Sequence, residues 1–276
     1  MKSMSFKALV FGALCGCAAS VYAIPTLQVG APGAAGEGLY ADYVAVSSSP
    51  TEADTAFTSG NRILVGGAYA NGAGEQLLIG GKYGSGKDWA AILQEKFGGS
   101  LSDYAAFNGK GAVLLASVPN GVVGSLTVNG ASAFFTSPTQ SLFPNLHDPV
   151  KPAVSDFMFF DIGNFAKNTE IPNLNVPNFA DETGSAVGEI KSLLIATSGF
   201  QWIHFDVMAL VTTEENGKKK TGLLTSLDNN PGSHDVTWKD PGGPPFGIPE
   251  PATPLLLGLG LGLLGLLMAR RTARSK

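Results

Sequence analysis

WIHFDVMALV, residues 202–211, is the stretch that decides the fold class of this chain. Every second residue after the tryptophan is apolar, whereas His204 and Asp206 occupy alternate positions. Successive side chains of a β-strand point to opposite faces, so this alternation predicts a strand with one face in a hydrophobic core. That face is formed by Ile203, Phe205, Val207, Ala209 and Val211.

Other short apolar runs, separated by Gly, Asn and Pro, lie on both sides of this stretch and predict further strands. They are Leu39–Val46, Ile63–Tyr69, Gln76–Tyr83, Gly111–Val118, Gly124–Val128, Asp156–Ile162 and Leu193–Thr197. The pairs Asn71-Gly72, Asn129-Gly130 and Asn216-Gly217 are typical of tight turns. Residues 64–69 and 78–83 have similar sequences on either side of the first pair, which predicts that they form one hairpin.

Helix signals are few. Asp88 is a suitable N-cap for a helix over Trp89–Phe97, and a second short turn could follow Asp181. Many short strands with scarce helix predict an all-β domain, a jelly-roll-like β-sandwich with one or two short helices, over residues 24–239.

The N-terminal residues 1–23 have the features of a secretory signal peptide. Lys2 and Lys7 precede an apolar run, and small residues before Ile24 place the cleavage between Ala23 and Ile24. An alternative is a lipoprotein signal with Cys17 as the lipidated residue. Both signals predict that the rest of the chain is exported.

The C-terminal end has the features of a membrane segment. Fifteen residues, Leu255–Ala269, carry no charge and are followed by the basic residues Arg270, Arg271, Arg274 and Lys276. As a helix they would be roughly 22 Å long, against about 30 Å of hydrocarbon in a bilayer. The basic cluster predicts a cytoplasmic end. Residues 252–276 are therefore expected to form a separate transmembrane helix with a basic tail, joined through a Pro/Gly linker at 240–251.

This tail resembles the PEP-CTERM sorting signal, because Pro249-Glu250-Pro251 precedes the Leu/Gly-rich helix and the arginine cluster. The resemblance implies a Gram-negative exported protein that an exosortase processes. Its helix would be a transient inner-membrane anchor, and its final place the cell surface or the extracellular matrix. It also implies an association with exopolysaccharide or biofilm.

The order of several segments resembles the choice-of-anchor N group of exported bacterial proteins. The segments include 147–151 (HDPVK), 156–160 (DFMFF), 202–206 (WIHFD) and 230–235 (NPGSHD). The resemblance covers nearly all of residues 24–239 and implies no activity and no catalytic residues.

Charge and cysteine content exclude several classes of function. Residues 24–247 hold 12 of the 18 Lys and Arg residues and 21 of the 22 Asp and Glu residues, a formal charge of −9. This acidic balance argues against nucleic-acid binding. Both cysteines, Cys15 and Cys17, lie in the signal peptide, so the exported domain has no disulfide and no cysteine-ligated metal.

Residues 81–88, GKYGSGKD, fit the GxxxxGK pattern of a phosphate-binding loop. However, Asp88 stands where a Ser or Thr would ligate Mg²⁺. We therefore expect a glycine-rich loop followed by a capped helix, and no nucleotide.

Three histidines, His147, His204 and His234, each have an acidic residue close in sequence. His204 and Asp206 are close enough on one strand face to share a ligand, but the sequence has no zinc signature, and a polar strand face is the simpler interpretation. A calcium site is the alternative, because one loop concentrates oxygen ligands. Its candidates are Asp228, Asn229, Asn230 and Asp235.

The sequence thus predicts a non-catalytic exported surface or matrix protein that needs neither nucleotide nor zinc, with calcium as the one ion considered. The alternative is a secreted glycan-binding module or a jelly-roll hydrolase, in which exposed Trp and Tyr side chains would stack on sugars. No pair of carboxylates stands out in the sequence as catalytic.

Overall fold

The computed structural model describes residues 26–34, 37–39, 54–69, 75–137, 142, 155–167, 169–217, 220–231 and 234–242. The chain in these ranges is almost entirely β-structure. The strands are Leu27–Gly30 (β1), Glu37–Leu39 (β2), Asp54–Thr58 (β3), Arg62–Tyr69 (β4), Gln76–Gly80 (β5), Ala112–Pro119 (β6), Ser125–Val128 (β7), Phe135–Ser137 (β8), Ser155–Gly163 (β9), Thr169–Ile171 (β10), Ala186–Ser198 (β11), Trp202–Gly217 (β12), Lys220–Asn229 (β13) and Val236–Lys239 (β14).

The strands form two sheets. The smaller has the order β1-β4-β11-β10, with β7 added to β11. The larger has the order β2-β3-β14-β12-β6-β9-β8, and β5 and β13 also pair with β12. Among the described strands all pairs are antiparallel except β3 with β14. The long strand β12 is therefore the centre of the larger sheet.

The apolar face predicted for residues 202–211 lies in the core between the two sheets. All five of its residues are buried there, together with residues of the smaller sheet such as Leu27, Val65 and Ile195. The core forms because both sheets turn an apolar face inward, which removes that area from water. The prediction of an all-β sandwich is confirmed, whereas the jelly-roll connectivity stays a prediction.

Each long edge of β12 is paired with two strands in succession. On one edge, β5 pairs with residues 210–213 and β6 with residues 204–208. On the other edge, β13 pairs with residues 208–217 and β14 with residues 202–205. On each edge, the two partner strands are consecutive in the chain and are separated by an insertion. Residues 81–111 separate β5 from β6, and residues 230–235 separate β13 from β14.

The first insertion carries the helices. The helix Trp89–Phe97 (α1) and the 3-10 helix Leu101–Phe107 lie on the outer face of the larger sheet. There Trp89 and Phe107 join Met208 and Leu210 in a second apolar cluster. The outer face of β12 is therefore buried under helices at its residues 208–210. A further 3-10 helix spans Phe179–Asp181, just before the position where a short turn was expected.

The predicted helix over Trp89–Phe97 has the predicted bounds. The Asp88 side chain accepts a hydrogen bond from the Ala91 backbone N–H at 3.2 Å, which caps the first turn. Lys87 pairs with Glu95 at 2.6 Å on the surface. Residues 81–88 are thus a capped helix entry, as the sequence predicted.

Asp88→Ala is expected to lower the free energy of unfolding by about 1 kcal/mol, because it removes an N-cap. Chemical denaturation followed by tryptophan fluorescence measures this loss. Lys87→Ala is the control, since its ion pair is exposed and such pairs contribute roughly 0–1 kcal/mol. Equal losses in the two variants would contradict the capping role.

The predicted hairpin between residues 64–69 and 78–83 is wrong. The strand β4 pairs with β1 and β11 in the smaller sheet, and β5 pairs with β12 in the larger sheet. The two similar sequences lie in different sheets because each pairs along its length with a strand much later in the chain. β4 has eight paired residues with β11.

Of the predicted turn pairs, Asn129-Gly130 is confirmed. Both residues have positive φ, 50° and 78°, and Val128 and Ala131 exchange two backbone hydrogen bonds of 2.9 Å across them. Asn216-Gly217 is not the turn itself. Gly217 pairs with Lys220, so these residues end β12 and the connection is residues 218–219. Asn71-Gly72 lies outside the described residues.

The signal peptide, most of the linker and the tail helix also lie outside the described residues, as do positions 40–46 of the first predicted strand. These stay predictions. Within the described part of the chain, no helix has the length and apolar character needed to cross a membrane.

Candidate functional site

The second insertion, residues 230–235, builds the candidate site. Met208 of β12 pairs with Asn229 of β13, and Phe205 of β12 pairs with Val236 of β14. Between these two pairs, β12 has two residues whereas the partner segment has six. The four extra residues form a loop beside Asp206. The insertion brings Asn230 and Asp235 next to the polar face of β12.

Asn230 replaces the missing strand pairing at this point. Its backbone N–H donates to the Val207 carbonyl at 3.1 Å, and the Val207 N–H donates to the Asn230 side-chain oxygen at 2.8 Å. The side-chain amide donates to Asp206 Oδ1 at 3.0 Å. It also lies 3.3 Å from the His234 carbonyl. One side chain thus connects the loop to both the backbone and the carboxylate of β12.

His204 lies between two carboxylates. Its Nε2 is 3.2 Å from Asp206 Oδ2, and its Nδ1 is 4.0 Å from Asp235 Oδ1. The same Nδ1 is 3.0 Å from Thr237 Oγ1. We call His204, Asp206, Asn230, Asp235 and Thr237 the buried polar cluster, because each is at most 1% exposed.

The cluster lies on the outer face of the larger sheet, where it continues the apolar area under the helices. Thr55 extends it, because its Oγ1 is 3.1 Å from Thr237 Oγ1. Ser117 of β6 is directly opposite His204 in the register, so the two side chains share this face. On β12 the outer face is therefore apolar at residues 208 and 210 and polar at residues 204 and 206, and both parts are buried.

The protonation of His204 is set by opposing effects. Burial lowers the pKa of its imidazole, but the negative charges of Asp206 and Asp235 outweigh this and raise the pKa above its ordinary value. His204, Asp206 and Asp235 also offer one ligand atom each within 4.8 Å of one another, which is close enough for a metal ion.

The calcium candidates separate into two groups. Asn230 and Asp235 belong to the buried polar cluster, whereas Asp228 and Asn229 end β13 and are half-buried. Burial raises the pKa of Asp228, and a hydrogen bond with the Thr26 side chain opposes this. The calcium hypothesis stays a prediction, and only two of its four candidate residues lie together in the buried polar cluster.

Among the described residues, the group that could hold a metal ion contains His204 but not His234. The half-buried His234 side chain is close enough to Glu182 to feel its charge, and burial lowers its pKa while Glu182 opposes this. His147 lies outside the described residues. Ser117, Thr55 and Thr237 were not predicted from the sequence as residues of the site. A signal existed for Ser117, since it interrupts the apolar run of β6.

Comparison with known proteins gives one match. Residues 247–271 match the family model of the PEP-CTERM protein-sorting motif. No curated protein and no solved structure matches the chain. The resemblance to the choice-of-anchor N group stays a prediction. The match confirms the sorting signal that the sequence suggested: the chain carries the PEP-CTERM motif of exported proteins that are anchored in transit and processed by an exosortase.

Proposed function

We propose that this chain is a non-catalytic extracellular protein, whose β-sandwich domain becomes a component of the cell surface or matrix after exosortase processing. The observation that carries the proposal is the sorting motif at residues 247–271. The motif indicates how the chain is exported and processed, and it does not indicate a reaction. The functional part of the chain is then the domain that precedes the motif.

The burial of the polar cluster supports a non-catalytic role. A catalytic group must touch its substrate, and His204, Asp206 and Asp235 are at most 1% exposed. Their side chains contact one another and neighbouring residues of the sheet. This is the pattern of a group of side chains that holds two segments together.

The aromatic side chains argue in the same direction against the alternative of a glycan-binding module or hydrolase. Stacking on sugar rings needs exposed aromatic faces. Trp89, Trp202 and Trp238 are the three tryptophans of the chain, and they are between 1% and 8% exposed. Tyr83 is 40% exposed, but it is a single side chain. The structural role is therefore favoured over sugar recognition by tryptophan stacking.

The association with exopolysaccharide is part of the proposal. Export by way of the sorting motif would bring the domain outside the cell, where such polymers could be its partners. The charge of −9 over residues 24–247 would repel a polyanion, so we expect a preference for neutral polysaccharide.

The sorting step is tested with Pro249→Ala/Glu250→Ala/Pro251→Ala in the native host. We expect the variant to keep its tail and remain in the membrane fraction, as the unaltered chain does in cells without exosortase. Immunoblots of membrane and extracellular fractions give the distribution. Pro244→Ala/Pro245→Ala is the matched control, because these prolines precede the matched residues 247–271 and should leave processing unchanged.

Release of the triple variant at the normal rate would reject processing through this motif. The non-catalytic role has a separate readout, in which the purified protein is incubated with extracellular polysaccharide of the same host. We expect co-sedimentation without shortening of the polymer, and depolymerisation would instead establish the hydrolase.

A further inference from the structure

We propose that the buried polar cluster is a structural metal site, in which His204, Asp206 and Asp235 bind one divalent first-row transition ion such as zinc. This inference does not depend on the sorting function. It concerns how the domain is held together. It also revises the expectation from sequence that zinc has no place in this protein.

The ligand set fits such an ion in kind, and the His204–Asp206 pair also fits it in spacing. Imidazole and carboxylate are common ligands of zinc and its neighbours. Two ligands at typical zinc distances lie roughly 3–3.4 Å apart across the ion. His204 Nε2 and Asp206 Oδ2 are separated by 3.2 Å, and all three potential ligand atoms lie within 4.8 Å. Asp235 Oδ1 is 4.0 Å from His204 Nδ1, the other ring nitrogen, so Asp235 must turn toward Nε2 for the three ligands to share one ion.

The groups around the ligands resemble an outer shell that fixes ligand orientation. Metal-bound histidines usually donate their other ring N–H to a neighbouring oxygen. His204 Nδ1 is 3.0 Å from Thr237 Oγ1, which lies 3.1 Å from Thr55 Oγ1. Asp206 Oδ1 accepts from the Asn230 amide, which leaves Oδ2 toward the histidine. The histidine ring and the Asp206 carboxylate are thus oriented before any ion binds.

Ser117 provides an independent observation. Its side chain is 0% exposed, and its Oγ has no hydrogen-bond partner among the described residues. A buried hydroxyl without a partner costs free energy, and an unseen water or ion is one explanation for such a group. Ser117 lies directly opposite His204, with Cβ atoms expected about 5 Å apart. A metal-bound water or the ion itself would supply its missing partner.

Charge balance also favours the ion. An imidazolium can neutralise one of the two carboxylates, whereas a divalent ion with a neutral imidazole neutralises both. In a buried site this difference matters, because charges away from water must be balanced locally. Calcium fits less well, since it prefers six to eight oxygen ligands and does not favour imidazole.

The position in the fold gives the ion a role. His204 and Asp206 lie on β12, and Asp235 lies on the insertion between β13 and β14. The ion would fasten this loop to the central strand of the larger sheet. Since the site is buried, the ion would enter as the domain folds and contribute to stability rather than to turnover.

The test uses the full-length chain, exported by host cells without exosortase and purified in mild detergent without chelator. We expect elemental analysis to find about one equivalent of a first-row divalent metal per chain. Removal by a strong chelator should lower the melting temperature by several degrees, and Zn²⁺ should restore it while Ca²⁺ does not.

Asp206→Asn and Asp235→Asn keep the side-chain shape but remove the charged ligand, so we expect at least tenfold weaker zinc binding. Asp228→Asn is the matched control, because Asp228 lies outside the three-residue group. It should bind zinc normally. Zinc binding that survives Asp235→Asn but not Asp228→Asn would overturn the assignment.

A measurement on the unaltered chain covers the case in which the variants fail to fold. Cobalt substituted for zinc should give visible absorption bands typical of mixed nitrogen and oxygen ligands. A chain that is purified without metal and shows neither these bands nor a melting response to Zn²⁺ would refute the proposal. The cluster would then be a buried set of hydrogen-bonded polar side chains without a metal ion.

Discussion

Phe205→Ala is expected to lower the free energy of unfolding by about 3–5 kcal/mol, because it leaves a cavity at the centre of the core. Phe205 is 0% exposed on β12. Its cross-strand neighbours Ala116 and Val236 are also 0% exposed, and the small alanine cannot fill the space. Denaturant unfolding followed by the fluorescence of the three buried tryptophans measures the loss.

Leu224→Ala is the control for this experiment. Leu224 lies on β13, paired with Thr213 of the same long strand, but its side chain is 51% exposed. An exposed position of this kind changes stability by roughly 0.5 kcal/mol or less. A loss below about 1 kcal/mol for Phe205→Ala would mean that the two sheets do not share a close-packed core.

Asn230→Ala is expected to cost about 2–4 kcal/mol, because one truncation removes partners from several buried groups. The Val207 N–H loses its acceptor, and Asp206 Oδ1 loses a donor. The loop 230–235 also loses the side chain that holds it against β12. Each buried polar group left without a partner typically costs about 1–3 kcal/mol.

This second experiment compares the unfolding of Asn230→Ala with that of Asn61→Ala. Asn61 is exposed, so its truncation should change stability by roughly 0.5 kcal/mol or less. The Asn230 side chain is not one of the three proposed metal ligands, and its loss should therefore be measurable in the presence of chelator as well. Equal stability of the two variants would show that the loop is held by other contacts.

The sequence predicted those parts of the fold that depend on near neighbours. The alternation of residues 202–211 identified the core face of β12, because one strand contains both the buried and the opposite face. Asp88 identified the start of α1, because a cap and its helix are adjacent in the chain. The motif at residues 247–271 was readable for the same reason, since its parts follow one another in a fixed order.

Pairings between distant segments depended on the tertiary structure. The similar stretches at residues 64–69 and 78–83 suggested a hairpin, but their partners β11 and β12 come more than 100 residues later. Local pattern shows that a segment prefers to be a strand. It does not show which edge gives that strand the largest buried area, because that depends on all other strands.

The candidate site shows the same division. From the sequence, His204 and Asp206 were two positions on a polar strand face, and Asp235 was one oxygen ligand in a loop. Only the tertiary structure decided that this face is buried, that Ser117 lies opposite His204, and that four extra residues place Asp235 beside the histidine. The sequence by itself determines the chemistry of each side chain. Their proximity and their removal from water follow from the register of three strands that are distant in the chain.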